Sequence, residues 1–137
     1  TAVTWPIGNG LTFEGIYDRL ENKVYLYKQK DGVIALGANG VFGDTLEGII
    51  SDANLDILRS EMELLDGAGN PFDLQAIKDG KLSPVFFGSA LADFGVTPFL
   101  HHFLEWSPAP GTRKTTTGEV NPNDDFFSGF ISKFRRT

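Results

Sequence analysis

A short apolar run in the second half of the chain constrains the fold most. Pro84-Val85-Phe86-Phe87 shows no alternation of apolar and polar residues, and Gly88 closes it. Runs of this kind are typical of strands that are buried on both faces, as inside a parallel sheet. We therefore predict a buried central strand at residues 84–87 and an α/β fold.

A helix is predicted shortly after this strand. Thr97 is a favourable N-cap residue, and Pro98 suits the first helical position. Phe99, Phe103 and Trp106 then repeat at spacings of four and three. This spacing predicts one apolar helix face that packs back on the sheet.

The turn between strand and helix is a candidate site. Ligands of open α/β sheets bind at the carboxyl ends of the strands, and Gly88, Ser89 and Ala90 lie at that position. The alternative is an ordinary strand-to-helix turn, in which the small residues only allow the backbone to turn tightly. The turn by itself leaves both interpretations open.

The first 28 residues predict an edge strand followed by a hairpin. Residues 3–7 favour an extended edge segment, because Pro6 has no amide hydrogen to donate to a neighbouring strand. Residues 15–17 and 23–28 flank the polar pair at 21–22, and Val24 and Leu26 alternate with tyrosines. We expect a β-hairpin with Val24 and Leu26 buried.

The following segments predict loops and two helices. Glycines recur through residues 32–48, a composition typical of turns. A helix is expected from Ser51 or Asp52 to about Leu65, with Gly67 ending it. A second is expected over residues 72–79.

The chain changes character after Trp106. Residues 107–111 are rich in proline, and residues 112–125 are polar and contain few apolar side chains, which predicts a linker. Residues 126–134 then favour a strand. A single strand without partners is not stable in water.

Composition limits the possible functions. A chain of 137 residues with 41% hydrophobic and 22% charged residues suits one folded domain. A net charge of -6 argues against a generally basic surface for nucleic acid. The absence of cysteine excludes disulfides and thiolate chemistry, and no apolar run reaches the roughly 18 residues of a membrane helix.

No catalytic or metal-binding motif is found. The glycines near Gly40 lack the Lys-Ser or Lys-Thr of a phosphate loop, and Asn22-Lys23 begins a guanine motif but lacks its aspartate. His101 and His102 are adjacent in the predicted helix and point about 100° apart, so they cannot share one metal. We interpret both histidines as surface residues.

Several motifs together resemble one family. The loop Gly88-Ser89-Ala90-Leu91 resembles the guanine-recognition loop of translational GTPases. The segments around it resemble the release factor 3 branch of that family, whose members recycle stop-codon-reading release factors. They occur in the order of that family: Thr4-Trp5-Pro6-Ile7-Gly8, Phe13-Glu14-Gly15-Ile16-Tyr17, Ser83-Pro84-Val85-Phe86-Phe87, Glu105-Trp106-Ser107-Pro108 and Phe127-Ser128-Gly129-Phe130.

The resemblance implies a domain plan. Residues 1–111 would be the later part of a P-loop GTP-binding domain with an inserted hairpin and helices. Residues 112–125 would be a linker, and residues 126–137 the first strand of a β-barrel domain. We therefore expect a piece of a longer protein.

The resemblance also implies a function. Ser89, Ala90 and Leu91 would bind the guanine base: the Ala90 amide donates to the guanine oxygen, Ser89 shapes the loop and Leu91 packs near the base. The parent would be a cytoplasmic GTP hydrolase that uses GTP, GDP and Mg²⁺ on the ribosome, without binding DNA or a membrane. The chain alone would be inactive and hold no nucleotide.

Two alternatives remain. Elongation factor G shares the inserted region and the Gly-Ser-Ala loop, whereas Trp5-Pro6-Ile7-Gly8 and Glu105-Trp106 favour release factor 3. A non-enzymatic binding module would instead use the tyrosines of the hairpin as its contact face. An upstream phosphate loop would separate these hypotheses.

Overall fold

An antiparallel sheet organises the first 107 residues. The structure, a computed structural model, describes residues 1–27 and 32–129. Strands β1 (Thr4–Ile7), β2 (Gly15–Asp18), β3 (Lys23–Leu26) and β4 (Val33–Ala35) pair in chain order. The predicted edge strand and hairpin are confirmed. Strand β4 lies in the glycine-rich segment, where only turns were predicted, so that prediction was wrong.

Three α-helices follow the sheet in the described part of the chain. They are α1 (Asp52–Ala68), α2 (Leu74–Lys78) and α3 (Val96–Trp106), and short 3₁₀ helices lie at Gly10–Thr12, Gly40–Phe42 and Asp44–Leu46. Helix α1 has the predicted N-cap Ser51 but continues past Gly67 to its C-cap Gly69. Helix α2 is confirmed within residues 72–79 and starts after Asp73, whose carboxylate accepts the Ala76 amide at 2.9 Å.

The core lies between α1 and one face of the sheet. The register pairs Tyr17 with Val24, so their side chains share this face, and both are buried. Leu55, Leu58 and Met62 recur along α1 at helical spacing and pack against them. Val24 and Leu26 are therefore buried as predicted.

Strand β2 is buried on both faces. Ile16 and Asp18 point away from the α1 side, and both have no solvent exposure. The segment after residue 84 and helix α3 cover this second face: Ile16 lies beside Gly95, and Asp18 bonds to His102. The sheet is thus enclosed by two layers at its second strand.

The prediction of a buried central strand at residues 84–87 was wrong. Val85 forms one isolated parallel bridge with Ala2, and its side chain is 45% exposed. The Phe87 amide donates to the Thr4 hydroxyl at 2.7 Å rather than to a backbone carbonyl, so the ladder ends there. A central strand of a parallel sheet has a neighbouring strand on each side, whereas among the described residues this segment pairs only through the bridge to Ala2.

The second compact unit begins at Pro108. It contains a two-stranded hairpin of β5 (Arg113–Thr115) and β6 (Gly118–Val120), which lies within the segment that was predicted as a linker, residues 112–125. Strand β5 consists of arginine, lysine and threonine and is exposed, and β6 consists of glycine, glutamate and a half-buried valine, so neither gives an apolar alternation that a sequence pattern could detect. Residues 126–129 form no strand, and residues 130–137 of the predicted barrel strand lie outside the described part.

The assignment of residues 1–111, 112–125 and 126–137 to parent domains stays a prediction. Among the described residues, no helix has both the length and the apolar character needed to cross a bilayer.

Candidate guanine-recognition loop

A four-residue loop connects the segment after residue 84 to α3. Ser89 and Phe94 close it as an antiparallel bridge: the Ser89 amide donates to the Phe94 carbonyl at 2.8 Å, and the Phe94 amide donates to the Ser89 carbonyl at 3.0 Å. Residues 90–93 between them are exposed. The sequence-predicted residues Ser89, Ala90 and Leu91 thus lie together on one exposed loop.

Hydrogen bonds inside the loop leave particular amides free. The Ala92 amide donates to the Ser89 hydroxyl at 3.2 Å, and the Asp93 amide donates to the Ala90 carbonyl at 3.3 Å. Within the described part of the chain, the amides of Ala90 and Leu91 have no acceptor. The Ala90 amide is therefore a donor that a ligand can use.

Two glycines allow the loop to close tightly. A Cβ atom on Gly95 would lie 2.8 Å from the Phe87 carbonyl oxygen and 2.9 Å from the Gly88 Cα, and Gly95 has a φ of +76°. A Cβ on Gly88 would meet the Phe94 carbonyl oxygen at 2.9 Å. Larger residues at Gly88 or Gly95 would force apart the two backbone segments that flank the loop.

The start of α3 differs from the prediction. Gly95 is the N-cap residue and Val96 the first helical residue, so neither Thr97 nor Pro98 has the predicted cap position. The left-handed conformation of Gly95 turns the chain directly from the loop into the helix. The helix consequently begins two residues after Phe94.

Two grooves flank the loop. One of about 290 Å³ includes Phe13, Tyr27, Phe94, Ser89 and Ala92 in its lining. The other, of about 360 Å³, lies on the α3 side and includes Phe86, Ala90 and Phe99. Leu91 is fully exposed at the loop tip, so its side chain is available to a ligand and contacts no core residue.

Comparison with known proteins finds sequences that are similar to this chain. No family model matches the chain. Proteins named peptide chain release factor 3 are 43% identical over 136 residues in Gloeobacter violaceus, 39% over 142 residues in Synechococcus elongatus and 37% over 142 residues in Nostoc punctiforme. These matches cover 97–98% of the chain. Along nearly its whole length, the chain is therefore similar to proteins named peptide chain release factor 3. It spans about a quarter of the length of these relatives, between 25% and 26%.

One residue of the helix that follows the loop was wrongly predicted to lie on the surface. His102 is 2% exposed, and its Nε2 lies 2.8 Å from the Oδ2 of Asp18, which has no exposure. The other oxygen of Asp18 accepts the amides of Leu20 and Glu21, both at 3.0 Å. The pair joins β2 to the helix that follows the loop, and His101 beside it is exposed, as predicted.

The inward face of α3 therefore differs from the predicted one. Pro98, His102 and Trp106 are buried at spacings of four, whereas Phe103 is 52% exposed. Phe99 is partly exposed and makes an edge contact with Phe86, with ring centroids 5.3 Å apart. This rotation brings His102 to the Asp18 carboxylate, which needs a hydrogen-bond partner where it is buried.

The two motifs that were rejected as nucleotide-binding motifs, Asn22-Lys23 and the glycines near Gly40, have structural roles. Asn22 has a φ of 52° in the hairpin turn. Its side-chain Nδ2 donates to the Gly37 carbonyl at 2.9 Å, and its side-chain Oδ1 accepts a hydrogen bond from the Tyr17 hydroxyl at 3.0 Å. Burial is the main cause that raises the pKa of Tyr17, although Arg19 opposes it. Gly40 belongs to a short 3₁₀ helix. Across the described residues, no group of three or more acidic, histidine or cysteine side chains is arranged for a metal.

Proposed function

We propose that this chain is part of a GTPase that acts in translation termination. The observation that carries the proposal is 43% identity along 97% of the chain to a protein named peptide chain release factor 3. The chain would form the later part of a P-loop GTP-binding domain, followed by the start of a β-barrel domain. The mixed architecture with an antiparallel inserted sheet is compatible with this placement.

The part of the chemistry that these residues would perform is reading of the guanine base. The Ala90 amide has no acceptor in the described part of the chain and lies on an exposed loop. Guanine presents an acceptor at O6, whereas adenine presents an amino donor at that position, so an amide donor selects guanine. Ser89 shapes the loop through its bond to Ala92, and Leu91 would pack near the base.

The remaining chemistry would belong to other parts of the parent. Phosphoryl transfer requires a phosphate cradle with lysine, a magnesium-binding hydroxyl and a group that positions water. The phosphate-loop motif and the complete guanine motif do not occur in this sequence. The parent would bind GTP or GDP with Mg²⁺, work in the cytoplasm on the ribosome, and promote dissociation of stop-codon-reading release factors.

A termination assay with the full-length protein tests this proposal. Ribosomes stalled at a stop codon carry a fluorescent release factor, and its dissociation is followed after the protein and GTP are added. We expect ribosome-stimulated GTP hydrolysis and faster dissociation, with no acceleration when nucleotide is omitted. Stimulated hydrolysis with unchanged dissociation would contradict the termination role and favour the elongation-factor-G-like alternative.

A further inference from the structure

Three aromatic rings meet beneath the guanine-recognition loop. The ring centroids of Phe13 and Tyr27 lie 5.2 Å apart, those of Phe13 and Phe94 5.6 Å, and those of Tyr27 and Phe94 5.1 Å. The interplanar angles are 64°, 87° and 83°, so all three contacts are edge-to-face. This is a favoured geometry for aromatic pairs. Phe13, Tyr27 and Phe94 are called the aromatic triad below.

The aromatic triad connects the sheet to the loop. Phe13 precedes β2, Tyr27 follows β3, and Phe94 ends the loop. The Tyr27 amide donates to the Glu14 carbonyl at 2.8 Å, which holds Tyr27 beside Phe13. Phe13 and Tyr27, which the sheet holds in place, therefore pack against the ring of Phe94, which belongs to the loop.

Phe94 connects this ring packing to the backbone of the loop. Its amide and carbonyl make both hydrogen bonds to Ser89 that close the loop, at 3.0 and 2.8 Å. Ala90 follows Ser89 directly, so the orientation of the Ser89 backbone determines where the Ala90 amide points. The described residues give that amide no acceptor of its own to hold it.

We propose that Phe94, held by Phe13 and Tyr27, is a positioning residue that aims the Ala90 amide at O6 of a guanine base. The inference rests on the proposed function and extends it by naming what sets base selectivity. The ligand class is a guanine nucleotide. Truncating the Phe94 ring opens the adjoining groove of about 290 Å³ and releases the loop from the sheet.

The test compares GDP with 6-thio-GDP, which replaces O6 by sulfur, a larger and weaker acceptor. The full-length protein is titrated with each nucleotide, and the ratio of the two dissociation constants reports the contact to O6. We expect the wild type to bind GDP about 5-fold or more tightly than 6-thio-GDP. In Phe94→Ala and Tyr27→Ala the ratio falls toward one, because the amide is no longer aimed.

Two control variants separate positioning from general loss of packing. Tyr27→Phe keeps the ring and its edge contacts, so we expect the wild-type ratio. Phe42→Ala removes a half-exposed phenylalanine that packs against no other aromatic ring of the described residues, and it should leave both affinities unchanged. If Phe94→Ala does not fold, Phe94→Leu and Tyr27→Ala provide the same comparison.

The outcomes are distinguishable. A wild-type ratio in folded Phe94→Ala and Tyr27→Ala would overturn the positioning role, including the case in which both affinities fall equally. A wild-type protein that does not bind GDP would overturn the proposed function and this inference with it. A reduced ratio in both alanine variants and an unchanged one in Tyr27→Phe supports the inference.

Discussion

His102 shows how a single buried contact sets the orientation of a helix. Its Nε2 bonds to Asp18, while its Nδ1 has no partner within the described residues. Stacking on Trp106, with centroids 4.7 Å apart, adds apolar contact. Sequence patterns did not predict this pair, because the partners are separated by 84 positions and His101-His102 resembles a polar helix surface.

Replacing His102 with phenylalanine should destabilise the protein. The ring would keep its packing, but Asp18 would lose a buried hydrogen-bond partner, and we expect a loss of about 2 kcal/mol in the free energy of unfolding. Urea unfolding followed by circular dichroism measures it. His101→Phe is the matched control at an exposed site and should change stability by less than about 0.5 kcal/mol. Equal stability of the two variants would show that the buried pair contributes nothing.

Ala90→Pro tests the donor in the recognition loop. Proline removes the amide hydrogen, so the affinity of the full-length protein for GDP should fall by about 1–3 kcal/mol. Ala90→Ser retains the amide and should bind as the wild type does. Calorimetric titration of both variants, each shown to be folded, provides the comparison. Wild-type affinity in Ala90→Pro would refute the assigned role.

At the scale of elements, α1 is held at its start by a residue from outside the helix. Ser51 is the N-cap as predicted, but its side chain makes no bond to the first helical turn. Its amide and hydroxyl instead donate to Glu14 Oε2, both at 3.1 Å, and Asn54 donates to the same oxygen at 2.9 Å. Glu14 therefore places a carboxylate at the positive end of the helix dipole.

Glu14→Ala should lower the free energy of unfolding by about 2 kcal/mol. The change leaves the Ser51 amide without its partner and removes one of two acceptors of the buried Asn54 amide. Glu63→Ala, at an exposed position of α1, is the control and should alter stability by less than about 0.5 kcal/mol. Thermal and urea unfolding of both variants tests the difference, and a loss no larger than that of the control would contradict it.

Local patterns predicted the elements that bury an alternating or helical face. The alternation at Val24 and Leu26 gave β3, and the spacing of Leu55, Leu58 and Met62 gave α1. Patterns failed where an element depends on partners distant in the chain. Phe86 contacts α3 and Phe87 contacts Trp5, so this segment has separate partners on its two sides rather than neighbouring strands.

The candidate site was predictable as a location but not as a geometry. Ser89, Ala90 and Leu91 lie on one loop, as expected from the motif. The bonds from Phe94 to Ser89 and the aromatic triad beneath them bring together residues 13, 27 and 94, which no local pattern relates. The aromatic residues flanking the hairpin were the available signal.

At the scale of the whole molecule, the chain divides after Ser107. Among the residues that the structure describes, the buried hydrophobic side chains run from Val3 to Trp106 and all lie in the first unit. We expect that deleting residues 108–137 leaves the melting temperature of the first unit within a few degrees of that of the full chain. Differential scanning calorimetry of the two forms measures this. Unfolding of the shortened chain would contradict independent folding.

The most direct test of the account is titration of GTP with Mg²⁺ into the full-length protein and into this 137-residue chain. In the proposed parent the chain would supply the base-reading loop and other parts the phosphate cradle, and phosphates supply most of the charge-assisted bonding to a nucleotide. We predict binding by the full-length protein at micromolar or lower concentration and no measurable binding by the chain alone. Micromolar, Mg²⁺-dependent binding by the isolated chain, or none by the full-length protein, would contradict the account.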